Sequence, residues 1–328
     1  MAIDPHPLVV SCHLGPTASR RLGAEFGWCP RFLEGTMRSR AGKRTSRGCA
    51  AIVRAKTRFK SALLRAVFRS LRLVPAPVYA WMKRMPVMRE SSRRLLDATL
   101  PSSGLSVVTI KSGPIGGLDF ELQPRRNKDM AVGRYETSLT RAIQDLLQKG
   151  DLCFDVGAHL GYVSLVMARS VGRSGKVVAF EPDPQLFDPL LRNTGRNIGE
   201  LAPVVPLHAA AGRASGRSSF RHGTSSGTGH LDDSDGDFTV RVLSLDDAAE
   251  LYGVPDLIKI DVEGAEVEAL EGAKRVLAEG RSSLLVEAHS SDLEELCRAY
   301  LERYHYDVDH LDRARKATSH LLARPARR

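Results

Sequence analysis

The chain of 328 residues contains no run of about 18 or more consecutive apolar residues, so no segment reads as a simple membrane-spanning helix. Cysteine is sparse. Cys12, Cys29, Cys49, Cys153 and Cys297 are scattered, odd in number and free of any CxxC pair. That usage argues against a disulfide framework and against a zinc site, and it fits a reducing, cytoplasmic compartment. Cys153 lies in an apolar run and reads as a small buried hydrophobe. The opening MAIDPHPLVVSCHLG lacks a basic stretch ahead of a sustained apolar core, which makes a poor signal peptide. Acidic residues are scarce in the first 100 positions, which hold 5 of the 38 Asp+Glu but 20 of the 48 Lys+Arg. The net charge of +10 is therefore an N-terminal property, and the remaining 228 residues carry 28 basic against 33 acidic groups. An enzyme of nucleic acid would more often surround its site with basic residues, so no nucleic-acid partner is expected. Repeats of 20–50 residues are also lacking.

What is present divides the chain into three parts. Residues 1–50 are rich in Gly, Ser, Arg and Pro without a steady apolar period, and they read as a disordered extension. Within them, Met37 offers an alternative start, which N-terminal sequencing that finds upstream residues would exclude. Residues 51–103 form a basic helical segment. Its core, 52–74, repeats Ile52, Ala55, Phe59, Leu63, Ala66, Val67, Leu71 and Val74 at helical spacing, with five arginines filling much of the rest. Pro75 and Pro77 stop it. Packing on the core is one reading, peripheral contact with an anionic inner-membrane surface is another, and an arm that binds a partner or nucleic acid is the third.

Residues 104–320 make the third part, with a core over 150–290. Two β-like runs (LSVVTI, LDFEL) and a helix over 138–148 come first. Strands are then predicted at 152–156, 176–180, 204–210, 257–262 and 283–288, with helices at 161–171, 184–197, 244–252, 265–279 and 291–303. Apolar strands alternating with helices predict an α/β fold whose mostly parallel sheet has helices on both faces.

The chemistry gathers at the ends of those strands. In LCFDVGAHLGYVSL the first strand ends in Asp155, and Gly157 and Gly161 flank a tight turn into a helix. Such a turn lets a ligand approach the backbone and offers free N–H donors at a helix start. Its glycines read G-A-H-L-G and lack the G-x-G-x-x-G spacing that a pyrophosphate needs, which disfavours an NAD-dependent oxidoreductase. The next strand ends in Glu181, 26 residues after Asp155, where a carboxylate can accept both ribose hydroxyls. The string DLIKIDVEGAEVEALEGA brings Asp261 and Glu263 out together. Two such carboxylates need a cation close by, and Lys259, a sulfonium, a metal ion or a substrate proton could serve. Glu266 and Glu268 read as surface acids compatible with the helix dipole, although Glu266 could face the site.

From Gly133 to His289 the chain resembles the FkbM family of methyltransferases. The resemblance rests on GRYE (133–136), FDVGAHLGYVSL (154–165), FEPDPQLFDPLLRN (180–193), VLSLDD (242–247), LIKIDVEGAEVEAL (257–270) and LLVEAH (284–289), in order along nearly half the chain. It implies a Rossmann-like fold with a seven-stranded sheet, S-adenosylmethionine as methyl donor and a hydroxyl acceptor on a sugar or natural product. His159 departs from the asparagine usual there. The resemblance implies that Asp155, Gly157, His159 and Gly161 line the methionine and ribose side and that Glu181 holds the ribose. Ala210 would lie beside adenine, while Tyr135 and Glu136 fold over the cofactor. Asp261 and Glu263 would face the transferring methyl.

A sugar hydroxyl needs a general base, and the candidates are Asp261, then His289, then Glu263. A Mg²⁺ ion bridging Asp261 and Glu263 is the less favoured addition, and no other metal ligands are assigned. The late histidines His305, His310 and His320 show no metal-ligand spacing, and His230 in the Gly/Ser-rich loop 223–237 reads as solvated. Tyr79 and Lys83 resemble a dehydrogenase pair but lie upstream of the nucleotide turn. The expected function is O-methylation of a hydroxyl on a glycan, glycolipid or natural product. The alternatives are an NAD-dependent oxidoreductase and a non-catalytic membrane-surface protein that keeps the fold.

Overall fold

The computed structural model describes residues 78, 104–199, 201–221, 230–232, 236–312 and 318–326. The extension over 1–50, the helix over 52–74, the Tyr79–Lys83 pair and most of the loop 223–237 lie outside the described residues. No helix among the described residues is long and apolar enough to cross a membrane.

A hairpin of β1 (Ser106–Thr109) and β2 (Asp119–Leu122) comes first, followed by α1 (Lys128–Ala131) and α2 (Thr137–Leu146). The alternating part begins with β3 (Leu152–Val156), α3 (Tyr162–Val171), β4 (Lys176–Phe180), α4 (Pro184–Arg196) and β5 (Val204–Leu207). Four short strands then pair among themselves: β6 (Ala210–Ala211), β7 (Gly216–Arg221), β8 (His230–Asp232) and β9 (Phe238–Leu243). The chain returns through α5 (Leu245–Tyr252), β10 (Leu257–Ile260), α6 (Glu266–Glu271), α7 (Lys274–Glu279), β11 (Ser283–Ala288) and α8 (Ser291–Glu302). It finishes with β12 (Tyr306–Asp312) and β13 (Ser319–Pro325).

The main sheet has seven strands in the order β12-β13-β11-β10-β3-β4-β5. All neighbours from β11 to β5 pair in parallel, and only β13 runs against both of its neighbours. This is the Rossmann-like, mostly parallel sheet that the sequence predicts. Its two faces read directly from the period-2 alternation of side chains. Cys153, Val177, Leu257 and Leu285 face one cluster, closed by Leu139 and Ile143 of α2 and by Leu165 and Val166 of α3. Phe154, Val178, Ile258 and Leu284 face the other, closed by Leu245, Leu270, Val276 and Cys297 from α5 to α8. Burial on both faces explains why these strands are continuous apolar runs.

Two predicted elements differ. The strand expected over 204–210 stops at Leu207. There the Leu207 carbonyl accepts from both Glu181 N (3.1 Å) and Ala209 N (2.9 Å), so the chain turns and Ala210 joins β9 in the smaller sheet. The helix expected over 265–279 is two helices. A Cβ on Gly272 would stand 2.1 Å from the Gly212 carbonyl oxygen, and the Gly272 carbonyl accepts from Asp246 N at 2.8 Å. The backbone contact at Gly272 interrupts the helix.

Candidate active site

The sheet's chain order reverses between β3 and β10, which is where open α/β sheets bind ligands. Register puts Lys259 of β10 directly beside Asp155 of β3, on the face covered by α3. Asp155 has no exposed surface. One of its oxygens accepts from Ser164 Oγ of α3 at 2.5 Å, and the other lies 3.4 Å from Lys259 Nζ. Lys259 is itself buried. Its ammonium donates to the Gly157 carbonyl at 2.8 Å and pairs with Asp261 Oδ2 at 3.2 Å. Burial alone would lower the Lys259 pKa, but Asp261, Asp155 and Glu136 outweigh it and hold the group charged, above its usual range. Lys259 thereby ties the turn after β3 to the turn after β10. Those turns also meet at backbone level, since a Cβ on Gly157 would stand 1.8 Å from the Asp261 carbonyl oxygen. Asp155 therefore stands behind the turn, with no exposed surface.

Beyond Gly157, the turn leans on β4. Gly157 N and Ala158 N both donate to the Phe180 carbonyl. Glu181, also buried, accepts from His159 N (2.8 Å) on one oxygen and Asp183 N (2.9 Å) on the other. Burial pushes its carboxyl up to about 7, against the lowering effect of those two N–H groups. His159 takes the left-handed conformation at φ 53°, as its place in the turn demands, and burial pushes its imidazole down to about 4. Its ring is neutral at pH 7, and its Nδ1 is buried with no hydrogen-bond partner. Gly161 opens α3.

The second half of the site surrounds His289, just past β11. Its Nδ1 stands 2.8 Å from Glu266 Oε1. Its Nε2 faces Glu263 Oε2 at 3.4 Å, Asp261 Oδ1 at 3.6 Å and Glu287 Oε1 at 4.0 Å. Burial opposes a charge on this ring. The Glu266 hydrogen bond and then Asp261 and Glu263 overcome that, so its pKa rises to about 9. His289 thus joins Lys259 as a cation beside Asp261 and Glu263. While protonated it cannot accept a proton, which leaves that capacity to the carboxylates. Glu266 faces the site and is no surface acid: it has no exposed surface, and its Oε1 also accepts from Gly264 N at 2.9 Å.

Tyr135 and Glu136 stand at the entry to α2. The Tyr135 ring meets Tyr162 edge-on with centroids 5.3 Å apart, and burial raises both the Tyr135 hydroxyl and the Glu136 carboxyl. Among the described residues four non-glycines have positive φ, and three of them (Glu136, His159, Glu263) belong to this site. Such conformations cost roughly 1–3 kcal/mol each and persist where the surroundings impose them. Ala210 is placed differently, buried with Phe220 and Val240 in the smaller sheet. Three participants escaped the sequence reading. Ser164 lies in an ordinary apolar helix, Glu287 interrupts an apolar strand, and His320 reaches Glu287 (3.2 Å) only across the β11–β13 register.

Residues 155–313 match the methyltransferase FkbM domain. Over 141 residues the chain is 31% identical to the hexuronic acid methyltransferase AglP of Haloferax volcanii, a match that covers 42% of this chain and 56% of that protein. The chain therefore spans just over half the length of this curated relative. Among solved structures, it is similar to methyltransferase FkbM from Methylobacillus flagellatus KT, with a TM-score of 0.41 and 20% identity over 54% of this chain and 44% of that one. A SAM-dependent O-methyltransferase from Thermotoga maritima gives 0.39 and 15% over 68% and 78%. The segment that matches this domain runs from Asp155 through the whole His289 cluster.

Proposed function

We propose that this protein is an S-adenosylmethionine-dependent O-methyltransferase acting on a hydroxyl of a glycan, glycolipid or natural product. The observation that carries the reading is the set of three adjacent strand ends at the switch point. β4 presents Glu181, β3 presents the glycine turn, and β10 presents Asp261. The donor set fits a nucleoside. Each Glu181 oxygen accepts one backbone N–H and retains a lone pair, enough for the two hydroxyls of a ribose. The orphaned Nδ1 of His159 adds a polar atom that the ligand-free turn leaves unsatisfied.

S-adenosylmethionine, when bound, supplies an electrophilic methyl group on a sulfonium. The chain's residues must align the acceptor with it and exclude water. The acceptor hydroxyl would hand its proton to a carboxylate of this chain, with Asp261 the first candidate and Glu263 the next. His289 and Lys259 hold those carboxylates in place. The relative that acts on a hexuronic acid makes a uronate-bearing glycan the first acceptor to try.

Calorimetry separates this reading from its rival. S-adenosylhomocysteine is expected to bind and NAD is not; binding of NAD alone would overturn the proposal.

The burial of Glu181 gives the binding a pH signature. With a carboxyl near 7, the group is mostly protonated at pH 6 and mostly ionised at pH 8. Ribose hydroxyls bond more strongly to the ionised form. Affinity for S-adenosylhomocysteine should therefore rise about tenfold between those pH values, about 1.4 kcal/mol. The Glu181→Gln variant should bind more weakly with a flat profile, and an affinity that falls with pH would sink the assignment. Stability of the ligand-free protein moves the other way. A carboxyl raised above its unfolded value contributes most below about 4.5, and that contribution is lost as pH rises through 7.

A further inference from the structure

His289 Nε2 faces three carboxylates at 3.4, 3.6 and 4.0 Å, each longer than a good hydrogen bond. Its other nitrogen is held tightly by Glu266. A ring fixed on one side and loosely surrounded by acids on the other is the arrangement of a metal-ligating histidine oriented by a carboxylate. We propose that Asp261, Glu287 and His289 bind a divalent cation of the manganese or magnesium class, which seats the acceptor. Only the role toward the acceptor rests on the methyltransferase reading; the site itself does not.

The geometry suits one ion. One ligand atom from each of the three residues lies within 4.8 Å of the others. An octahedral ion with bonds of about 2.1 Å separates adjacent ligands by about 3 Å and opposite ones by about 4.2 Å. The spans from Nε2 to Asp261 and to Glu287, 3.6 and 4.0 Å, fall between those limits. Shifts of up to about 0.6 Å would bring the three atoms, all within 4.8 Å of one another, onto one ion. Carboxylate donors suit Mn²⁺ and Mg²⁺, and the imidazole tilts the set toward Mn²⁺, since Mg²⁺ and calcium prefer oxygen.

Charge and hydrogen bonding point the same way. Among the described residues, Glu136, Asp155, Asp261, Glu263, Glu266 and Glu287 face only Lys259, His289 and His320 as cations. Three oxygens of this set, Glu136 Oε2, Asp155 Oδ1 and Glu266 Oε2, are buried with no hydrogen-bond donor; Lys259 stands 3.4 Å from the Asp155 oxygen, and Glu266 has no exposed surface. Native interiors rarely leave such atoms unsatisfied. A dication that displaces the Nε2 proton of His289 still adds one net positive charge to this set. With three protein ligands, it also leaves positions for two oxygens of an acceptor, such as vicinal hydroxyls or the hydroxyl and carboxylate of a uronate.

The test uses the full chain without cofactor and Mn²⁺ as the probe. Paramagnetic resonance should show about one Mn²⁺ removed from solution per chain. Glu287→Gln and His289→Gln should weaken that binding by at least tenfold. Glu266→Gln, acting through the ring of His289, should weaken it by about 10–100-fold. Thermal unfolding of each variant establishes that it is folded. Absence of Mn²⁺ binding to the parent protein overturns the site, and so does unchanged binding in folded Glu287→Gln and His289→Gln. S-adenosylhomocysteine calorimetry on the same samples keeps the two proposals apart. Mn²⁺ without nucleoside binding would retain the cation site and remove the methyltransferase reading. Nucleoside without Mn²⁺ binding would do the reverse.

Discussion

Lys259→Met is expected to lower folding stability by about 3–5 kcal/mol at pH 7, the usual result of stripping one partner from a buried ion pair. Asp155 would be left with no exposed surface and no cation beside it, bonded to Ser164 alone, and Asp261 would lose the ammonium it shares with Asp155. The Gly157 carbonyl would lose its donor as well. Urea unfolding measures the loss directly, and a melting temperature lower by roughly 10 °C or more should accompany it. The double variant Lys259→Met/Asp155→Asn should recover much of the difference, because it removes the stranded carboxyl. A single variant as stable as the parent would show that the ammonium is not what holds the two turns together.

The second large effect belongs to Gly157→Ala. A methyl group there would stand 1.8 Å from the Asp261 carbonyl oxygen, at a φ of +79° that side chains rarely adopt. Neither contributor is flexible, since both are backbone. Overpacking costs about 1–3 kcal/mol and the left-handed conformation about 1–2 more, so a total of about 2–5 kcal/mol is expected. Relief requires the turns after β3 and β10 to separate, which would also move Asp261 away from Lys259. Loss of S-adenosylhomocysteine affinity should therefore exceed what the stability change alone explains. A variant with parental melting temperature and affinity would mean that the turns are not in contact.

These two residues mark the limit of what sequence could tell. Gly157 was legible because a glycine between an apolar strand and an apolar helix signals a tight turn with close backbone approach. β3, β4 and β11 lie where apolar, β-branched runs placed them, since strands buried on both faces leave continuous hydrophobic stretches. Asp155, Asp261 and Glu181 were legible as acids at strand ends. Lys259 offered less, because a lysine inside LIKI names no partner until register sets it beside Asp155. Glu266 read equally well as a dipole acid or a site residue, and only its contact with His289 decides. His320 was out of reach altogether. Its relation to Glu287 crosses between antiparallel strands, a distance in sequence that no motif spacing encodes. The break at Gly272 depends in the same way on Gly212, a neighbour brought in by another part of the chain.

The position of β13 sets an order of events in time. It lies between β12 and β11 although it follows both along the chain, and it carries His320 to Glu287. A growing polypeptide can assemble β3, β4, β5, β10 and β11 as each leaves the ribosome. The glycine turn after β3 is therefore complete early. The far side of the sheet must wait until residues 319–325 slide into a gap held open between two strands already made. Until then β11 is a bare edge, with Glu287 unopposed and its backbone free to pair with a neighbouring nascent chain. Slow decoding near residue 312 would lengthen that interval, and aggregation during synthesis should track it.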